Sequence, residues 1–437
     1  MIIYPKKVNK NLYKHKDTNL KTFYGLEKNI IFCKKCTYSN QKPTSEKEFK
    51  HNIKTKKTTL SIGFDGICSA CKIAEKKENN IDWIERERQL KNLCNKYRSK
   101  NGNYDCLVPG SGGKDSFYQA YKLKYEYGMN PLTITWAPHI YTSWGWQNFQ
   151  SWIHAGFDNC LFTPNGRAHR LLTRLALDKI YHPFQPFIMG QNHYPARAAA
   201  KQYNIKLIFY GDSNAEYGNA DNYNIPSKNI KYFSSSKEEE LMIAGTSIKE
   251  LKKKYLLTDQ DLLPYLPISK KELKTSKVDV QYLGYYLPWR PQECYYFSVE
   301  NGNFIAAPER TLGTYSKYNS IDDKMDDFHY YTLFIKFGIG RASYEAAQDI
   351  RNKEITRQEG IKLVNKFDGE YPARFEKEIF EYLSINNKQY SKKVVDLFEQ
   401  PKMEKKYFED LTNKFRSPHI WYTKNNKWYL RKKISIK

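Results

Sequence analysis

Apolar and polar positions change period repeatedly along this chain. The run Tyr104-Asp105-Cys106-Leu107-Val108-Pro109 reads as a short, mostly apolar strand that runs into glycines, after which Phe117, Ala120, Tyr121 and Lys124 recur at helical spacing up to Gly128. The alternation then continues. Pro131–Trp136 is expected as a second strand, Trp146–Gly156 as a helix, Cys160-Leu161-Phe162 as a third strand, and Arg167–Ile180 as a helix burying Leu171, Leu172, Leu175 and Ile180. Phe187-Ile188-Met189 leads to Gly190-Gln191, then to a helix marked by Ala196, Ala199, Ala200 and Tyr203, and Leu207–Tyr210 follows as an apolar strand. Strands alternating with helices predict a doubly wound parallel sheet. Ligands of such sheets sit beyond the carboxyl ends of the strands, which singles out residues 111–116, 137–146, 163–170, 190–193 and 211–218. We divide the chain into residues 1–80, an α/β domain over 81–280 and a mainly helical region over 281–437. Residues 219–280 and 388–415 mix charge and apolar positions with helical character and suggest no role.

The 437 residues are 40% hydrophobic and 27% charged, with 36 Tyr, 23 Phe and 8 Trp, which is ample apolar area for buried cores and excludes wholesale disorder. The longest stretch free of Lys, Arg, Asp and Glu, Tyr127–Phe157, holds Pro131, Pro138, Gln147, Asn148 and Gln150, so no bilayer span is expected. Met1–Tyr4 is followed by Lys6, Lys7 and Lys10 without an apolar run, and the expectation is a cytoplasmic protein. The net charge of +25 is concentrated at the ends: residues 1–80 carry 18 lysines against 7 acids, and residues 388–437 carry 14 basic residues against 5 acids. Basic ends either attract a polyanion or sit in solvent.

Eight cysteines are too few for a disulfide scaffold, and four fall in two pairs, Cys33-Lys34-Lys35-Cys36 and Cys68-Ser69-Ala70-Cys71. A two-residue gap sets both sulfurs on one side of a tight turn, and two such knuckles close a tetrahedron around Zn²⁺; redox pairs are the competing reading. Four thiolates fill the coordination sphere, so the metal would be structural. The stretch Lys47–Lys57 between the pairs reads as an inserted loop.

After the first strand comes Gly110-Ser111-Gly112-Gly113-Lys114-Asp115-Ser116. Glycines bring backbone N–H groups close to an anion, the helix start adds partial positive charge, and Lys114 adds a full one. The spacing is not that of Walker A. Ser111–Ser116 instead resembles the Ser-Gly-Gly-x-Asp-Ser signature of the PP-loop ATP pyrophosphatases, with their HUP-like sheet. That resemblance implies that Ser111, Gly112, Gly113 and Ser116 bind the β- and γ-phosphates of ATP, that Lys114 neutralises charge and that Asp115 holds Mg²⁺. Gly190 and Gln191 are further candidates for the nucleotide.

A wider resemblance runs over about residues 30–430. Cys33–Thr37, Asp65–Cys71, Thr163–Gly166, His182–Phe187, Tyr210-Gly211 with Glu216–Gly218, Tyr285–Trp289, Gly313–Tyr318, Ser320–Tyr331, Ile335–Arg341 and Arg416–Trp421 are similar to the N-acetyl sugar amidotransferases of bacterial surface-polysaccharide synthesis, the WbpG/PseA type. The resemblance implies that ATP adenylates the carbonyl oxygen of a sugar's N-acetyl group and that ammonia displaces AMP to leave an acetamidino group. It also implies a separate ammonia source, glutaminase and barrel subunits resembling those of imidazole glycerol phosphate synthase. No Cys/His glutaminase signature is readable in this chain. The rival is a tRNA thiolase, which would also combine zinc knuckles, a PP-loop and basic ends, but needs a reactive sulfur carrier for which only Cys106, Cys160 and Cys294 are placed.

Beyond the loop, Asp322, Asp323, Asp326 and Asp327 form two i,i+4 carboxylate pairs if helical, with His329 close behind. They either bind a cation or serve as a base on ammonia, or they form a surface helix paired with Lys317, Lys324 and Lys336. Glu216 is a candidate base or metal ligand by position, and Arg167, His169 and Arg170 either grip an anionic sugar or are solvated helix charges. Trp136, Tyr141, Trp144 and Trp146 either stack on a sugar or pack in the core.

Overall fold

The structure, a computed structural model, describes residues 8–15, 20–44, 48–211, 234–235 and 240–436. Among these described residues, five strands form the central sheet: β1 (Cys106–Pro109), β2 (Pro131–Trp136), β3 (Asn159–Phe162), β4 (Leu207–Tyr210) and β5 (Asp279–Tyr282). Their order is β3-β2-β1-β4-β5, and every pair is parallel, with Leu107 opposite both Leu132 and Ile208. The chain winds outward from β1 in one direction and then returns to the other side, so a crevice opens where the order reverses, at the carboxyl ends of β1 and β4. The last strand straddles residue 280, so a domain boundary there would cut the sheet.

Alternation along β1 explains the layers. Cys106 and Val108 face a core shared with Leu90, Phe117, Phe149, Trp152 and Phe209, while Leu107 faces a core shared with Leu172, Leu175, Ile208 and Val280. After α1 (Ser69–Asn80), the first face carries α2 (Trp83–Tyr97), α3 (Lys114–Tyr121), α4 (Ser143–His154) and α7 (Pro291–Gly302). The second carries α5 (Gly166–Ile180) and α6 (Gln185–Ala198). Capping sets the helix starts: the Asp82, Thr142 and Asn165 side chains accept from Glu85, Gly145 and Arg167 N–H. α5 stops where Tyr181 takes the left-handed conformation, φ 49°.

Two expectations fail on α6. Phe187–Met189 belongs to a helix that starts at Gln185, with Pro186 in its first turn, so residues 190–193 form no loop. Gly190 serves packing: a Cβ there would lie 2.2 Å from the Trp136 ring, so glycine lets α6 press directly onto the end of β2.

α8 (Asp326–Phe337), α9 (Arg341–Arg351) and further helices at Arg357–Phe367, Glu376–Leu383 and Lys405–Lys414 make the C-terminal region mainly helical, closed by an antiparallel hairpin, Trp421–Lys424 with Lys427–Leu430. The two basic ends of the chain meet. Tyr13 and Tyr24 donate hydroxyls to the Arg416 and Phe415 carbonyls at 2.7 and 2.6 Å, and His419 Nε2 lies 2.9 Å from the Gln41 side-chain oxygen. Lys42 is buried, and burial pushes it down to about 7. These parts of the basic ends are structural, not a solvated coat. Among the described residues no helix is long and apolar enough to cross a membrane.

Candidate functional site

The glycine loop leaves β1 at the crevice. Gly112 has φ 86°, open to glycine, and a Cβ there would lie 2.7 Å from the Phe149 backbone; no side chain fits between the loop and α4. Ser116 Oγ donates to the Gly113 carbonyl at 2.9 Å, and Ser298 of α7 donates to the Lys114 carbonyl at 3.0 Å. Lys114 is buried, with its ammonium 2.6 Å from Asp115 Oδ2; Asp115 Oδ1 is buried and has no partner among the described residues. That leaves one carboxylate oxygen for a cation such as Mg²⁺, and loop N–H groups for a phosphate.

Two cavities meet at this loop. The first, of about 330 Å³, is lined by Gly110, Ser111, Gly113, Ser116, Gln191, Trp289, Asp322 and Asp326 among others. The second, of about 470 Å³, is lined by Glu48, His51, Lys57, His182, His329 and Lys336. Lys114, Asp115 and Ser320 belong to both walls.

The acidic segment reaches the loop because the chain after β2 clamps it. Thr142 N–H donates to the Asp322 carbonyl and Lys324 N–H to the Ile140 carbonyl, each at 3.0 Å. The four acids then divide. Asp323 accepts from His139 Nδ1 and N at 2.7 Å and from Met325 N at 2.9 Å, and Asp327 accepts from Arg374 at 3.2 Å; both are fixed structural carboxylates. Asp322, Asp323 and Asp326 all line the first cavity, but of these only Asp322 and Asp326 are not already tied up by His139 and Met325. Burial raises both: the Ser111 hydroxyl opposes this at Asp322, while the Asp322 charge adds to it at Asp326, against Arg341. The surface-helix reading is therefore wrong. The helix starts only at Asp326, Lys324 pairs with Glu378, Lys336 donates to the Ile180 carbonyl at 2.8 Å, and Lys317 donates to Pro308.

Because Asp326 has a raised pKa in the folded chain, its stabilising protonated form is complete below the ordinary carboxylate range and is lost as pH rises through the raised value. Asp326→Asn is accordingly expected to be more stable than the parent at pH 8 by on the order of 1–2 kcal/mol, with the gain vanishing toward pH 4. Thermal unfolding in magnesium-free buffer checks this; a variant destabilised at both pH values would mean that the carboxylate is held by fixed bonds.

Other expected residues are placed elsewhere. Arg167 and Arg170 line a surface depression with Tyr382 and Gln389, and Arg170 donates to Gln389 at 2.7 Å, away from both cavities. His169 is buried, 3.0 Å from the Tyr265 hydroxyl, its ring centroid 4.6 Å from that of His139. Lys317 lines neither cavity, Gly190 is packing, and Gln191 does reach the first cavity. Glu216 lies outside the described residues. Of the aromatic cluster, Trp136 is buried yet touches the first cavity, while Trp146 is exposed. Trp289 and Tyr318 also line the first cavity; the similar stretches Tyr285–Trp289 and Gly313–Tyr318 contain them, but no chemical feature of the sequence singles out either side chain.

Cys33, Cys36, Cys68 and Cys71 gather as expected, all buried, with Sγ–Sγ distances of 3.7 Å (Cys36 to Cys68) and 4.0 Å (Cys33 to Cys71). Sulfurs about 2.3 Å from a tetrahedral zinc stand about 3.8 Å apart, so this donor set fits the ion. The knuckles seat against α9: Thr37 donates to the Ser343 carbonyl at 2.9 Å, and Tyr38 packs edge-on to Tyr344.

Residues 312–435 match the family model of LPS biosynthesis proteins, "WbpG-like, C-terminal domain". The match takes in the acidic segment, α8 and α9. Over 84 residues the chain is 30% identical to an uncharacterized protein of Methanocaldococcus jannaschii, a stretch that is 19% of this chain and spans 30% of the length of that relative. The C-terminal likeness is thus to proteins of lipopolysaccharide biosynthesis.

Proposed function

We propose that this chain is an ATP-dependent amidotransferase that converts the N-acetyl group of a sugar into an acetamidino group for surface-polysaccharide synthesis. The observation that carries the proposal is the glycine loop at the sheet crevice, walled by two cavities that share Lys114 and Asp115 and faced by the Asp322 and Asp326 carboxyls. One cavity takes the nucleotide and the other the acceptor.

An amide carbonyl is a poor electrophile. Attack of its oxygen on the α-phosphorus of ATP breaks the bond to pyrophosphate, and the esterified oxygen becomes a good leaving group. Loop N–H groups and the Ser111 and Ser116 hydroxyls hold the departing pyrophosphate, and buried Lys114 offsets its charge. Mg²⁺, held by Asp115, would neutralise further phosphate charge. Ammonia then adds to the activated carbon, AMP leaves with the former carbonyl oxygen, and the excess proton passes to Asp322 or Asp326, whose raised basicity suits them to accept it. Ammonium has no lone pair to attack with, so a separate glutaminase and its barrel subunit are the proposed suppliers of NH₃.

The thiolase alternative finds no support at the loop. Cys106 and Cys294 are buried in the core beneath α3, Cys160 lies on the edge strand β3, and none lines either cavity. The test is release of AMP and pyrophosphate from ATP with an N-acetylated nucleotide sugar and high ammonium at alkaline pH, against tRNA in place of the sugar. Sugar-dependent turnover is expected without any glutaminase, with product lighter by the difference between O and NH. Turnover with tRNA alone overturns the proposal.

A further inference from the structure

The wall of the second cavity gathers three side chains that sequence reading left unconnected. Glu48 and His51 come from the stretch between the two cysteine pairs, and His182 from the turn between α5 and α6. The stretch is no idle insertion at this point: Phe49 is buried 5.5 Å from the His193 ring, and Gln185 donates to the Glu48 carbonyl at 2.9 Å. His51 Nδ1 stands 3.4 Å from Glu48 Oε2, and His182 Nε2 stands 3.6 Å from Glu48 Oε1. One donor atom from each of the three lies within 4.8 Å of the others.

These separations are long for hydrogen bonds to a carboxylate, which run to about 2.7–2.9 Å. They match ligands sharing an ion: donors about 2.1 Å from a tetrahedral metal stand about 3.4 Å apart. The four cysteines provide an internal comparison, since their sulfurs are also spaced as ligands of one ion, at 3.7 and 4.0 Å. We propose that Glu48, His51 and His182 form a second metal site, distinct from the cysteine cluster, that takes a zinc-like divalent transition ion. Two imidazoles and one carboxylate suit such an ion better than Mg²⁺ or Ca²⁺.

Three protein ligands leave a coordination position free, and here it faces the cavity that reaches Lys114 and Asp115. An oxygen or nitrogen of a molecule in that cavity can fill it, so the ion would anchor an acceptor beside the loop. Lys57 and Lys336 are among the lysines of this cavity wall, Lys336 held by the Ile180 carbonyl, and the His329 ring stacks on His182 at 5.2 Å between centroids. With one carboxylate against a dication, the centre stays net positive and favours an anionic or strongly polar ligand. The site rests on donor geometry and not on the amidotransferase reading.

Cobalt titration of the full chain, stripped of metal under reducing conditions, tests it. The first equivalent is expected to give thiolate-to-cobalt charge-transfer absorption from the cysteine cluster, and a second to add visible d–d bands without further thiolate absorption. Glu48→Gln, His51→Gln and His182→Ala should each reduce the stoichiometry from two to one while keeping the thiolate band, which also reports that the variant is folded. A wild-type titration that ends at one equivalent overturns the proposal without recourse to any variant. So does a second equivalent that survives in folded variants.

Discussion

Lys114→Ala is expected to reduce pyrophosphate release by at least 10²–10³-fold, the scale on which a preorganised charge acts in a water-poor site, while leaving the fold intact. The side chain is buried and its ammonium is committed to Asp115 at 2.6 Å, so it stands within the loop and not in either apolar core. The loop itself is held through the backbone, by Ser298 on the Lys114 carbonyl and by Ser116 on that of Gly113, and these bonds survive truncation. Removing a buried ammonium also removes its desolvation cost, which limits any loss of stability. Asp115→Ala should match it in rate for a different reason, because the buried Oδ1 open to a cation is lost. Parallel measurement of pyrophosphate release and thermal unfolding checks both variants. Normal turnover in either would mean that the loop does not hold the triphosphate.

Cys68→Ser, or chelation of the parent, is expected to lower stability by several kcal/mol, since structural zinc contributes roughly 10–16 kcal/mol of binding free energy in isolated fingers. Burial pushes the Cys36 thiol up, and hydrogen bonds from Cys36, Cys68 and Cys71 hold Cys33 well below its ordinary value; without an ion the cluster therefore keeps protons that a cation displaces. The effect should spread beyond the knuckles. They seat α9, whose Arg341 and Glu345 pair at 3.0 Å, and Arg341 faces Asp326. Loss of the cluster loosens that wall of the site, yet none of the four cysteines lines either cavity at the loop, so the chemical step in the remaining folded fraction should fall far less than the melting temperature implies. Thermal unfolding with and without a zinc chelator, alongside turnover well below the transition, separates the two effects. An unchanged melting temperature argues against a structural ion.

The parts of this molecule that are local in sequence were the legible ones. The strand, glycine loop and helix at 104–128 show in hydrophobic period and glycine placement alone, as do the paired cysteines, because the forces that make them act between near neighbours. The error at 187–193 has the same origin. A glycine at position 190 looks like a break, and only contact with Trp136, 54 positions earlier, shows that it permits close packing inside a helix.

What the linear order by itself determined, then, was the α/β class, the glycine loop between the first strand and its helix, and the pairing of the four cysteines. Tertiary structure decided which of four adjacent acids are already engaged by distant side chains. Asp323 and Asp327 are claimed by His139 and Arg374, each about 50 or more residues away, while Asp322 and Asp326 are left to the site. It also decided that the chain's basic ends pack against each other and that Glu48 meets His182. Side-chain roles of this kind depend on which distant groups compete for each charge and on how much water remains around it, and neither is written in local spacing.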